Sequence, residues 1–378
     1  MIWILVLILL FIFAEGGVSR PAVLNDNGRT TAKSIVLPSR ICLIATLSLM
    51  AGFWGISAQD HEQYVRVYNI FRQLGFADIF ADIELFTRQK LGMEMGYNAI
   101  NVLGNYMGLK PPMFFMLTSL FVNICVIKFI YDYPHPVLSV FFILSMNFFL
   151  QEANLVRQII AMAIFLISVR QLLKGNWKTY VALVFVAALF HTSAIILEAF
   201  VVFHFTKGVV SKKIAFWALV GIWGLSIMIM FGMVPFNFSV FFSDSEYSNY
   251  AVSRNSIGME ASVLNVVFHN LVAVALLLCY NTLTIKSKLF YYAVILITAS
   301  TVNVSYVFTN MLRFATYFSV AFYVFTFYIF SQTENWKIDK YSIPILALQV
   351  YCAVRILVFF IIQENVFGSE SYSLSDFF

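Results

Sequence analysis

The stretch Phe149–Phe165, FLQEANLVRQIIAMAIF, decides how the chain is read. Within eight residues it carries Gln151, Glu152, Asn154, Arg157 and Gln158, set between two runs apolar enough to span a membrane. An arginine at mid-bilayer costs roughly 2.5–3.5 kcal/mol on insertion scales. If the flanking runs are spans, Arg157 has to sit at a membrane boundary or face a polar cavity, and its presence there calls for a partner.

The rest of the chain agrees with the membrane reading. Its 378 residues are 61% hydrophobic and 11% charged, with 41 Phe, and a soluble fold of this size needs far more surface charge. Apolar runs of roughly 18–22 residues recur, the length a helix needs to cross about 30 Å of hydrocarbon. Candidate spans lie near 2–18, 36–57, 112–131, 137–151, 155–173, 179–204, 214–232, 263–283, 289–309, 312–331 and 341–362. The expectation is an all-α, polytopic bundle of about eleven spans, forming one transmembrane domain over 1–378 with loops near 58–110 and 233–262 on its outer side.

Composition also narrows the function classes. The net charge of +5 comes from short Lys and Arg clusters between apolar runs, where they set topology, so it is no nucleic-acid signal. Cys42, Cys125, Cys279 and Cys352 lie singly in apolar segments and suggest neither a disulfide framework nor a metal site. The opening MIWILVLILLFIFA lacks a basic n-region and reads as a retained first span.

Basic residues orient the chain. Arg20, Arg29, Lys33 and Arg40 make the first connection cytoplasmic, which places the loop 58–110 outside. Arg170, Lys174 and Lys178 then fall inside. A single crossing by 179–204 would expose Lys207, Lys212, Lys213, Lys286 and Lys288 outside, against the rule. A re-entrant element, with two half-helices of about 20 Å meeting at the polar LFHTSA, restores it. His191 is then at the tip.

Under this topology the polar residues gather on the outer side: Asp60, Glu94 and Tyr97, Arg157 beside a short turn, His191, Arg254, and Arg313 after Asn310. Glu94, Asn98, Asn101 and Asn105 share one face of a helix, and so do Asn303, Tyr306, Asn310, Arg313 and Tyr317. Polar stripes also serve as plain helix–helix glue. Equally, His191 has a structural reading, Asp60 and Glu62 one as solvated loop charges, and Glu198, Asn265 and His269 one as packing groups. For Arg157 the structural alternative is a salt bridge to Glu152 or Glu94. Its five-donor fork also suits phosphate.

Four stretches in order carry a family likeness: QDHEQYVRVYNIF, EMGYNAINVLGNYMGLKPPMFFMLTSL, NLVRQIIAMAIFLISVRQLLKGNWKTYVALVFVAALFHTSAI and NMLRFATYF. In these the chain resembles the EpsG-like, Wzy-type polysaccharide polymerases of bacterial envelopes, most specifically over Glu94–Glu198. The resemblance implies a bundle similar to GT-C-like glycosyltransferases in the bacterial cytoplasmic membrane, with a site facing the periplasm or cell exterior. It implies transfer of a glycan from one undecaprenyl-diphosphate carrier to a hydroxyl on another lipid-linked repeat unit, without a cofactor or metal. It also implies a chain-length regulator and a flippase as pathway partners.

Placed on this chain, the proton acceptor is expected among Glu94, His191 and Asp60, and the diphosphate contacts among Arg157, Arg313 and Arg254. Tyr97, Asn98, Gln158, Asn310 and Tyr317 are the expected sugar contacts. A lipid-linked oligosaccharide flippase is the competing reading, but its polar path would reach both membrane faces. A membrane acyltransferase with His191 as base would need a cytoplasmic acyl-donor site, and no such cluster is visible.

Overall fold

In the computed structural model, the described residues are 2–18, 33–54, 60–73, 93–145, 152, 154–205, 212–234, 263–282, 287–308, 311–333, 337–338 and 341–363. The protein is a polytopic helical membrane protein. Five of its helices are long and apolar enough to cross a bilayer: Pro111–Ile130, Val156–Lys174, Lys212–Met230, Lys288–Ser305 and Met311–Ser331. Shorter apolar helices accompany them. Two compact units divide the chain, one formed by Met1–Glu198 with Leu346–Phe378 and the other by Ala199–Ile345.

The first unit contains α1 (Ile2–Gly16), α2 (Lys33–Trp54), α3 (His61–Gln73), α4 (Met95–Tyr106), α5 (Pro111–Ile130), α6 (Pro136–Ser145), α7 (Val156–Lys174) and α8 (Trp177–Phe190). Helix α2 packs on α1 and α5, and α7 packs on α5 and α8. Helix α5 starts at Pro111-Pro112, where the missing N–H groups would have had no helical partner anyway. Helix α7 ends at Gly175, whose φ of 91° is left-handed. There the N–H groups of Gly175 and Asn176 close back on Leu172 and Gln171, which stops the helix sharply and lets α8 run antiparallel to it.

Charged groups mark the two ends of α7. At its C-terminal end Arg170 pairs with Asp132 at 2.6 Å. Nearby ties hold α1, α2 and α5 together: Arg40 donates to the Gly17 carbonyl, and the Tyr131 hydroxyl to that of Ala14. Arg157 lies at the other end, thirteen residues and about 20 Å away along the axis. Because Arg157 is the second residue of α7, it sits at a helix start rather than mid-helix.

The segment after α8 reverses. His191 is extended (φ −153°, ψ 110°), and a 3-10 helix, Thr192–Val201, follows it. The Tyr180 hydroxyl donates to the Leu197 carbonyl. Were α8 and the 3-10 helix collinear, those residues would stand roughly 30 Å apart. The chain therefore doubles back at His191, as the basic residues demand.

The loop expected at 58–110 is structured where it is described. Helix α3 packs against α4, with the Tyr68 hydroxyl donating to the Leu109 carbonyl at 2.8 Å and Asn105 to that of Tyr68 at 3.1 Å. Of the expected span 137–151, α6 covers Pro136–Ser145, and 146–151 lie outside the described residues.

The second unit holds α9 (Val202–Phe205), α10 (Lys212–Met230), α11 (Val263–Cys279), α12 (Lys288–Ser305), α13 (Met311–Ser331) and the first residues of α14 (Ile343–Gln363), with a two-residue strand pair before α14. A buried amide network ties three of these helices. Trp223 of α10 donates to Asn270 of α11, Asn270 to Asn303 of α12 at 2.6 Å, and Asn303 to Ser226 of α10 at 3.0 Å.

One expectation fails here. Asn303, Tyr306, Arg313 and Tyr317 do not share a helix face, because α12 ends at Ser305, turns at Tyr306–Val307, and α13 restarts at Met311. The 3-4 spacing runs across a break in the backbone. Asn303 serves packing, as polar groups between apolar helices often do.

A reversal at His191 is what the basic-residue reading requires to keep Lys207, Lys212 and Lys213 on the side of Lys174 and Lys178. Ser211→Cys and Lys178→Cys should therefore react alike with a membrane-impermeant thiol reagent in right-side-out vesicles, both protected until the membrane is permeabilised. Opposite protection patterns would mean that 179–204 crosses.

Candidate functional site

Glu94 occupies the N-cap of α4 in an extended conformation (φ −69°, ψ 150°) and makes no side-chain cap to its own helix. Its carboxylate instead turns to other segments. One oxygen pairs with an Arg157 guanidinium nitrogen. The other lies 3.2 Å from His191 Nδ1 and accepts from the Thr192 N–H at 3.3 Å and the Thr192 hydroxyl at 3.4 Å. The start of α4, the start of α7 and the tip of the α8 hairpin thus meet on one carboxylate.

Burial makes these contacts necessary. Glu94 is 5% exposed, and an unpaired carboxylate at that depth costs several kcal/mol. Burial alone would push its pKa up. The His191 hydrogen bond and the Arg157 charge outweigh that and hold it down at about 2. Arg157 gains as much, because a cation in the first turn of a helix opposes the macrodipole. Its guanidinium carbon also lies 5.9 Å from the Tyr64 ring centroid, and Tyr64 stands edge-on to Tyr97 at 5.5 Å.

A glycine permits the approach of α4 to the hairpin. A Cβ on Gly96 would lie 2.8 Å from the Leu189 carbonyl oxygen in the last turn of α8. That oxygen is backbone, so the helices would have to separate.

The remaining expected residues divide by place. Asp60 opens α3, and its N–H donates at 2.9 Å to Asn154, three residues before Arg157. Tyr97 is fully buried, and burial holds its phenol well above the ordinary value, so it stays neutral. Asn98 is fully buried and donates to the Met93 carbonyl at 3.2 Å, bracing the turn that carries Glu94. Asn101 donates to the Tyr97 carbonyl within its own helix. Gln158 is buried beside Arg157 in α7.

Arg313 and the buried Tyr317 belong to the second unit, on α13. Arg254 and Asn310 lie outside the described residues. Arg157 pairs with Glu94, whereas Glu152 bonds to Ser119 and Asn123 of α5. Among the described residues no group of three or more His, Cys, Asp or Glu could hold a metal ion. Tyr64, Gly96 and Thr192 join the site without having been singled out. Tyr64 had a usable signal, lying one helical turn from Asp60 in a stretch already quoted for its likeness.

The fold and site define a helical membrane protein with a buried carboxylate–guanidinium–imidazole cluster at one end of its first unit. The chain matches the EpsG family over residues 39–372, nearly its whole length, and belongs to that family. Membership makes it a polysaccharide-polymerase-like membrane protein, glycosyltransferase-like in broad class. No curated protein and no solved structure matches it.

Two outcomes follow from this geometry. Gly96→Ala should cost about 1–3 kcal/mol of stability through the forced separation of α4 and α8, and thermal unfolding in detergent measures it. The Glu94 pair stabilises the fold above the ordinary carboxylate value, and that contribution fades as pH falls towards about 2. Wild type should therefore exceed Glu94→Gln by an amount on the order of 3 kcal/mol near neutrality, and the two should converge in strong acid.

Proposed function

We propose that this protein joins undecaprenyl-diphosphate-linked oligosaccharide repeat units by glycosyl transfer on the outer face of the bacterial cytoplasmic membrane. The observation that carries the reading is Glu94 held between Arg157 and His191. A carboxylate with a pKa near 2 is a poor proton acceptor, so of the expected candidates the base is His191 rather than Glu94. Glu94 accepts from Nδ1–H and so selects the tautomer that carries its lone pair on Nε2, the atom assigned to take the acceptor's proton.

In the step itself the acceptor hydroxyl oxygen bonds to the anomeric carbon of the donor, and its proton passes to His191 Nε2. The bond from that carbon to the diphosphate oxygen breaks, and the electron pair leaves on undecaprenyl diphosphate. Arg157 receives the growing charge as a guanidinium held in place at the start of α7. The N-terminus of α7 adds positive potential at the same place.

A cavity of about 320 Å³ adjoins the cluster. Ile100 and Leu103 of α4, Leu117 and Phe121 of α5, Ile160 of α7 and Phe190, next to His191, line it. It suits the polyprenyl tail, with the diphosphate at the Arg157 end. Tyr97 and Asn98, on the helix that Glu94 opens, are the remaining candidates for the sugars.

The test is glycan analysis of a deletion strain complemented with variants at matched protein level. A ladder of repeat-unit lengths from the wild-type gene supports polymerase activity; single lipid-linked units retained inside the cell instead indicate a flippase. His191→Gln should lower polymer formation by about 10²–10⁴-fold. Arg157→Lys keeps charge but loses the fork, and a charge-assisted contact of about 1.5–3 kcal/mol corresponds to roughly 10–100-fold. Near-normal polymer from Arg157→Lys would leave Arg157 only its structural pair with Glu94.

A further inference from the structure

Glu152 is a buried carboxyl that the proposed reaction does not use. It is 6% exposed. One of its oxygens accepts from the Ser119 hydroxyl and from Asn123 Nδ2 at 3.2 Å, and Asn123 in turn reaches the Ser48 hydroxyl of α2 at 3.4 Å. The other oxygen is buried without a hydrogen-bond partner among the described residues. It borders a space of about 10 Å³ walled by Leu47, Val126, Ile143 and Leu144, near the lower limit for one water and far too small for an organic ligand.

Among the described residues no cation answers this carboxyl. Helix α2 carries Arg40 and Cys42, α5 carries Cys125 and Lys128, and α6 carries no titratable group. None of these enters the electrostatics of Glu152, which are set by burial and by the bonds from Ser119 and Asn123. Arg157, five residues on, is taken by Glu94. A bare carboxylate in such surroundings is far costlier than the neutral acid.

We propose that Glu152 is a proton-binding site, a carboxylic acid whose O–H occupies the unbonded oxygen and points into the water-sized space. The neutral acid docks the chain ahead of Arg157 on α5 and α2 through Ser119, Asn123 and Ser48. Two residues further on, Asn154 receives the Asp60 N–H, so the docked segment also positions one edge of the Glu94 cluster. Burial pushes the carboxyl up to about 8 against the pull of the two hydrogen bonds, so the proton is held at neutrality and lost in mild alkali.

Infrared difference spectroscopy of the full-length purified protein tests this without relying on polymerase activity or on access by a reagent. The wild type should show, near pH 6, a protonated-carboxyl C=O component that is absent from Glu152→Gln and at least about tenfold weaker near pH 9. Glu152→Gln, which mimics the neutral acid, should keep the wild-type melting temperature near pH 5. The wild type should fall behind it as pH rises towards 8 and stay behind at a constant gap above that. Three results would overturn the proposal: no Glu152-dependent protonated-carboxyl band near pH 6, a Glu152→Gln variant already destabilised near pH 5, or a band that sodium suppresses and choline does not, which would make the occupant a metal cation.

Discussion

The first unit depends on one ion pair that neither partner could do without. Arg157 lies where a helix start makes a cation unwelcome, and Glu94 lies where burial makes an anion unwelcome. Each cost is met by the other's charge, and the pair can form only when α4, α7 and the α8 hairpin are all in place. Breaking it by removing one partner leaves the other buried and uncompensated. The same contact that completes the site therefore also specifies how these three segments assemble.

That dual role explains the division of labour inside the cluster. A carboxylate this strongly stabilised as an anion makes a good anchor and a poor base. In the reaction proposed above, the imidazole it orients takes the proton and the guanidinium beside it receives the leaving charge. Thr192 adds two further donors to the carboxylate, so the hairpin tip is fixed by backbone as well as by side chain.

Much of this was legible from residue types and spacing, and the limits are instructive. Charge bookkeeping on the lysines was enough to infer the reversal at His191, because topology rules act on whole segments. The meeting of Glu94, Arg157 and His191 was legible because polar groups in an apolar chain have few places to go, whereas Asp60 reaches Asn154 through its backbone. The stripe from Asn303 to Tyr317 misled because helical spacing carries across a turn that periodicity cannot see. Gly96 escaped notice for a different reason: its importance lies in an atom of α8, ninety-three residues away, that a Cβ would strike. Which carboxylate pairs with Arg157 was also undecidable from spacing, since Glu152 is closer in the chain and Glu94 is the partner.

The amide network of the second unit has a consequence for biosynthesis. Ser226 and Trp223 on α10 find their partners on α11 and α12, the last of which leaves the ribosome more than seventy residues later. Meanwhile the Ser226 hydroxyl donates to the Trp223 carbonyl of its own helix, so only its acceptor side and the indole N–H wait for partners. The bonds between α10 and its neighbours can therefore close only after α11 and then α12 have been made, so this part of the second unit packs later than it is synthesised.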